Sequence, residues 1–148
     1  MSAKFRLMAF LIQLLAAVPA LADLTAARAE PNLEKRSRKA LENAEKALNA
    51  ARQAYKNGDL DKADATLAEV GESVTLADEC LKQTGKNPAR SPKHFKQAEI
   101  KTRALLRHLN DFREHMGVDD RETIDKVRAV IDQINQELLL GIMGGKKK

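Results

Sequence analysis

Between Asp59 and Leu81 apolar side chains recur at steps of three and four without interruption: Leu60, Ala63, Leu67, Val70, Val74, Ala77 and Leu81. Such spacing lines one face of a helix and repeats as a heptad seam. The same period marks three further segments. Upstream, Leu41, Ala44, Leu48, Ala51 and Tyr55 form a seam widened by Ala40, Ala47, Ala50 and Ala54, whose helix propensity and small size give a thin profile. Downstream, Phe95, Ala98, Thr102, Leu105, Leu109, Phe112 and Met116 form a third seam, and Ile124, Val127, Ile131, Ile134 and Leu138 a fourth.

Turn residues punctuate these seams. Asn57-Gly58 ends the first helix, because glycine accepts the left-handed conformation of a C-cap, and Asp59 offers an N-cap oxygen to the second. A connection this tight folds the two helices into an antiparallel hairpin. Gly71 falls in mid-helix without shifting the seam, so a continuous helix is expected, bent there or closely approached by a neighbour. Gly85 and Pro88 stop the second helix, and Ser91-Pro92 restarts a third in the order N-cap, then proline. Gly117 caps its end, Asp119 and Glu122 form an acidic capping box for the fourth, and Gly141 ends that one. The expected fold is all-α: an antiparallel up-down-up-down four-helix bundle over residues 33–141, with a flexible lead-in at 23–32 and an apolar and basic tail at 142–148.

Charge alternates along this series. Residues 33–57 carry seven basic and three acidic side chains, 59–84 two and seven, 91–116 six and three, and 119–140 three and six. In a ring ordered as the chain runs, every neighbouring pair would be complementary, an argument about arrangement more than stability. Tyr55, Gly58, Asp59, Ala63 and Leu67 also resemble the turn region of a tetratricopeptide-type helical hairpin. That resemblance spans roughly a tenth of the chain, has no second copy near Gly117, and implies no function.

The first residues follow another pattern. Lys4 and Arg6 precede an apolar run from Leu7 to Val18, then Pro19 and the small-residue site Ala20-Leu21-Ala22. This reads as a secretory signal peptide over residues 1–22, too short for the roughly twenty residues of a membrane span. Ala27-Arg28-Ala29 offers a second cleavage site. Neither site supplies the cysteine of a lipid-anchored protein, so the mature chain is expected to have no transmembrane anchor and to be periplasmic or secreted, in a bacterium. The formal net charge of +5 includes the two basic residues of this leader.

Chemistry is sparse. Cys80 is the single cysteine, which excludes an internal disulfide; Asp78 and Glu79 beside it disfavour a thiolate, leaving a partly buried thiol or an exposed one that links two chains. His108 and His115 are candidate metal ligands, but seven residues separate them by about 10.5 Å along one helix, too far to share an ion without ligands from elsewhere. Met116 fits the seam. His94, Lys101, His108 and His115 share one heptad position, a polar stripe expected to face acidic helix two or four, or a pH-responsive one. Lys35, Arg36, Arg38 and Lys39, and Lys93, Lys96, Arg103 and Arg107, form basic clusters without interleaved aromatics, so nucleic acid is not expected as a partner. No nucleophile–base pair or phosphate-binding glycine loop is present, and no cofactor is expected.

The end of the chain stands out. Leu138, Leu139, Leu140, Ile142 and Met143 are apolar on more sides than one seam needs, and Lys146, Lys147 and Lys148 follow. This end is either covered by the lead-in or long loop, or is an exposed patch for a partner protein or a second copy; its lysines could add a weak contact with anionic envelope surfaces. The expected function is that of an exported, non-enzymatic bundle acting through protein contacts as an adaptor, chaperone-like binder or envelope component. The alternative is a ligand or metal carrier with a site between helices, using His108, His115 or Cys80.

Overall fold

The computed structural model describes residues 22–144; residues 1–21, on which the signal-peptide expectation rests, and Lys146, Lys147 and Lys148 lie outside the described residues. Five helices follow in order: α1 (Ala22–Arg28), α2 (Leu33–Lys56), α3 (Leu60–Gln83), α4 (Lys93–Glu114) and α5 (Glu122–Ile142), with a 3₁₀ turn at Val118–Asp120. The four long helices pack against one another as an all-α bundle, each reversing the direction of the one before. Their seams meet in an apolar core in which Leu67, Leu105, Leu109, Ile124 and Ile131 are fully buried. Removing such side chains from water is the main stabilising contribution, of about 1.5–3 kcal/mol each.

The bundle is built from two hairpins. In the first, Asn57 and Gly58, whose φ is +76°, turn the chain, and Asp59 accepts the Lys62 N–H at 3.2 Å to cap α3. Asn43 Nδ2 donates to Ser73 Oγ at 2.9 Å and to Glu69 Oε1 at 3.1 Å, and Ser37 Oγ donates to the Ala77 carbonyl at 2.9 Å, fixing the antiparallel register of α2 and α3. In the second, Asn135 Nδ2 donates to Thr102 Oγ1 at 2.8 Å and Arg113 Nε to Asp125 Oδ1 at 2.5 Å, so α4 and α5 are likewise antiparallel.

Between hairpins the order differs from the charge-alternating ring. α2 lies beside α4, and α3 beside α5, each pair parallel. Glu34 pairs with His94 at 3.0 Å, Glu45 with Lys101 at 2.8 Å, and Tyr55 meets Phe112 edge to face at 5.7 Å, so position numbers rise together along α2 and α4. Lys82 and Glu137 at 3.1 Å mark the same sense in α3 and α5. The loop from Thr84 to Pro92 therefore crosses the end of the bundle diagonally, and the hairpins are stacked side by side as successive units of a helical array are. Charge complementarity holds inside each hairpin and fails between them. Exposed ion pairs contribute too little to override the fit of the apolar seams.

Several local expectations are corrected. Residues 23–32 are not a flexible lead-in throughout, because α1 buries Leu24 and Ala27, and Glu30 ties it to α2 through Arg36 at 2.7 Å and Lys39 at 2.8 Å. Leu60 opens α3 but is 44% exposed, so the seam starts at Ala63. Gly71 lies within one continuous helix, as expected. Pro92, not Ser91, holds the N-cap position of α4, without a side-chain hydrogen bond. Asp119 caps nothing: α5 starts after Arg121, and Asp120 instead accepts the Tyr55 hydroxyl at 2.9 Å. His115 is the C-cap of α4, and Gly117 donates its N–H to the Tyr55 oxygen at 2.9 Å. Gly141 does not stop α5, which continues through Ile142. A Cβ at position 141 would stand 3.2 Å from Pro88 Cγ, so this glycine lets the diagonal loop lie against the helix.

Candidate interaction site

The last turns of α5 bring the apolar end of the chain into view. Leu138 is buried and Ile142 packs against the core, on the seam side. Leu139, Leu140 and Met143 point away from it and are 44%, 61% and 73% exposed. Extra apolar residues on a helix whose seam is already filled have no neighbour left to cover them. Neither α1 nor the Thr84–Pro92 loop covers these three; the loop touches α5 through Pro88 at Gly141. Lys82 spans to Glu137 at 3.1 Å and to Asp78 at 2.7 Å, which anchors this end of α5 to α3. Hydrogen bonding to Asp78 raises the affinity of the Lys82 amine for its proton, and Lys82 in turn holds the Glu137 carboxyl below its usual range. The patch therefore stands on a fixed helix end.

The histidine stripe lies elsewhere. It faces α2, a basic helix, and not the acidic helices, meeting the two carboxylates α2 offers there: His94 meets Glu34, and Lys101 meets Glu45. Lys86, hydrogen-bonded to Glu34, holds that carboxyl below its usual range. Further along, Arg52 donates to the His108 carbonyl at 2.7 Å, and His115 Nδ1 lies 2.7 Å from the Asp111 carbonyl. Between the parallel α2 and α4 the surface dips into three hollows of about 250, 210 and 620 Å³, bordered in turn by His94, His108 and His115. Among the described residues no three His, Cys, Asp or Glu side chains converge as a metal site would require.

Cys80 is buried at 1% exposure, and burial pushes its thiol pKa up, with Glu79 adding to the effect and Arg36 opposing it. A thiol in that place cannot reach a second chain, which removes the linked-dimer reading. It also lies toward the opposite end of the bundle from His108 and His115. The basic cluster of α2 is partly spent internally, on Glu30 by Arg36 and Lys39 and on Glu42 by Arg38. On α4, Ile100, 55% exposed between Lys96 and Arg103, was not signalled by the seam, because it falls outside it. No helix among the described residues is long and apolar enough to cross a membrane. Comparison of the chain with protein-family models, with curated proteins and with solved structures returned no match.

Proposed function

We propose that the chain is an exported helical bundle that works through protein contacts, as an adaptor, chaperone-like binder or envelope component, and that the end of α5 is its contact site. The observation that carries this reading is the cluster of Leu139, Leu140 and Met143, exposed side by side on an anchored helix end. Exposed apolar groups packed this closely gain by being covered. Ile142, beside the patch, packs against the core, and in sequence Lys146, Lys147 and Lys148 follow it with positive charge. The carrier alternative has less support, since His108 and His115 are solvent-facing and Cys80 is sealed away from them.

Photocrosslinking from position 140, in cells that produce the chain, tests the reading. A discrete adduct is expected from position 140, none from the exposed Gln136 site one turn earlier, and loss of the adduct with Met143→Asp. Absence of an adduct at position 140, or equal labelling from 136, would end the proposal.

A further inference from the structure

The parallel stacking of the hairpins sorts charge onto opposite sides of the bundle. α2 and α4 together hold thirteen basic and six acidic side chains, and α3 and α5 four basic and ten acidic. In the ring these two pairs are opposite sides. Each side carries charges the chain leaves unmatched: among the described residues, Lys96 and Arg107 make no ion pair, nor do Asp61, Asp64 and Glu72. Lys96 and Arg107 are eleven residues apart on α4, as are Asp61 and Glu72 on α3, and each pair thus spans about 16.5 Å on one face of its helix.

Shape follows the same division. On the basic side Ile100 projects from the crest of α4, flanked by the unpaired Lys96 and by Arg103, whose largely exposed guanidinium makes only a long 3.5 Å contact with Glu99. On the acidic side α3 and α5 leave a shallow groove of about 470 Å³, floored by Ala68 and Gly71 and walled by Leu76, Val127 and Val130. Glu72 and Glu79 stand on its α3 rim; Lys126 on the other rim is already paired with Glu122 at 2.7 Å, and Arg28 closes one edge.

We propose that a second copy of this chain docks here, the α4 crest with Ile100 of one copy entering the α3–α5 groove of the other, Lys96 and Arg103 against Glu72 and Glu79. Two helices of this length, about 10 Å apart, offer a face of roughly 35 by 20 Å, or about 700 Å², close to the ~800 Å² per partner of a standard interface. The two faces are different surfaces on opposite sides, so the contact is head-to-tail and does not close on itself; copies would add in a row. The groove does not include the patch on α5: Met143 lies thirteen residues beyond Val130, about 20 Å along the axis.

Sedimentation velocity of the full chain over a concentration series tests this. At about 50 mM salt the chain should form a ladder of oligomers, and at about 500 mM association should weaken tenfold or more. Lys96→Glu with Arg103→Glu disables the basic face, and Glu72→Lys with Glu79→Lys the acidic face; each variant alone should stay monomeric. Their equimolar mixture should restore a ladder in which the two variants alternate, because the two reversed faces are complementary to each other, as the two unreversed faces are. Ile100→Asp, which alters no existing ion pair, should by itself weaken assembly at least tenfold, and it covers the case in which a double reversal unfolds the chain. Met143→Asp, which tests the α5 contact, should leave the ladder unchanged. A wild-type chain that is monomeric throughout, a face variant that assembles alone like wild type, or a mixture that stays monomeric would each overturn the proposal.

Discussion

Gly71 and Gly58 show how the same residue carries opposite consequences. At Gly71 the helix is regular, and a Cβ would meet only Val127 at 3.7 Å, an ordinary contact. Gly71→Ala should therefore raise stability by about 0.5–1 kcal/mol, through helix propensity alone. Gly58 has nothing within 4 Å of a Cβ, but its φ of +76° strains any other side chain, and Gly58→Ala should lower stability by about 1 kcal/mol. Urea midpoints of the two variants should move in opposite directions. The periodicity of three and four placed Gly71 in a helix without difficulty. It could not tell that Leu60 is exposed, because spacing assigns a face and not a depth, and Leu60 belongs to the first turn of its helix.

At the scale of helices, the buried polar contacts set register. Asn43 is 3% exposed and Ser73 fully buried, and their hydrogen bond joins α2 to α3. Asn43→Ala should cost about 1–3 kcal/mol, since it leaves the Ser73 hydroxyl without that donor, and thermal unfolding should show the loss. Asn43→Ala with Ser73→Ala should cost less than the two single changes added together, as paired groups do. The long helices and the tight first turn were legible in the sequence because each has a local cause: a seam, a left-handed glycine, an aspartate cap. The entries into α4 and α5 were not. Asp120 is drawn to Tyr55, sixty-five residues away, and no local motif announces a partner at that distance. α1 escaped for a related reason: two apolar residues, Leu24 and Ala27, make a helix only when α2 is there to receive them.

At the scale of the molecule, pH acts through pairs that join distant parts of the chain. Glu34, Asp125 and Glu137 all titrate below their usual range, held there chiefly by Lys86, Arg113 and Lys82 respectively. A carboxylate whose folded pKa lies below its unfolded value stabilises the fold above the unfolded value, and that contribution is lost as pH falls through the folded one. Urea midpoints should hold between pH 7 and about 5 and drop toward pH 3, and replacing all three residues by Asn or Gln should flatten that drop. The order of helices in the ring was beyond the sequence, because net charge per helix argued for one ring and the seams fit another. The α5 patch was legible in its excess of leucine and methionine, whereas the sidedness of charge emerged only once the hairpins were stacked. Stacking by a shift leaves the loop from Thr84 to Pro92 as the sole covalent tie between two complete halves. Each half brings its own turn, its own register bonds and one bare long side, so a chain cut at Arg90 would become two peptides equipped to find each other, and the molecule is already laid out as a split pair.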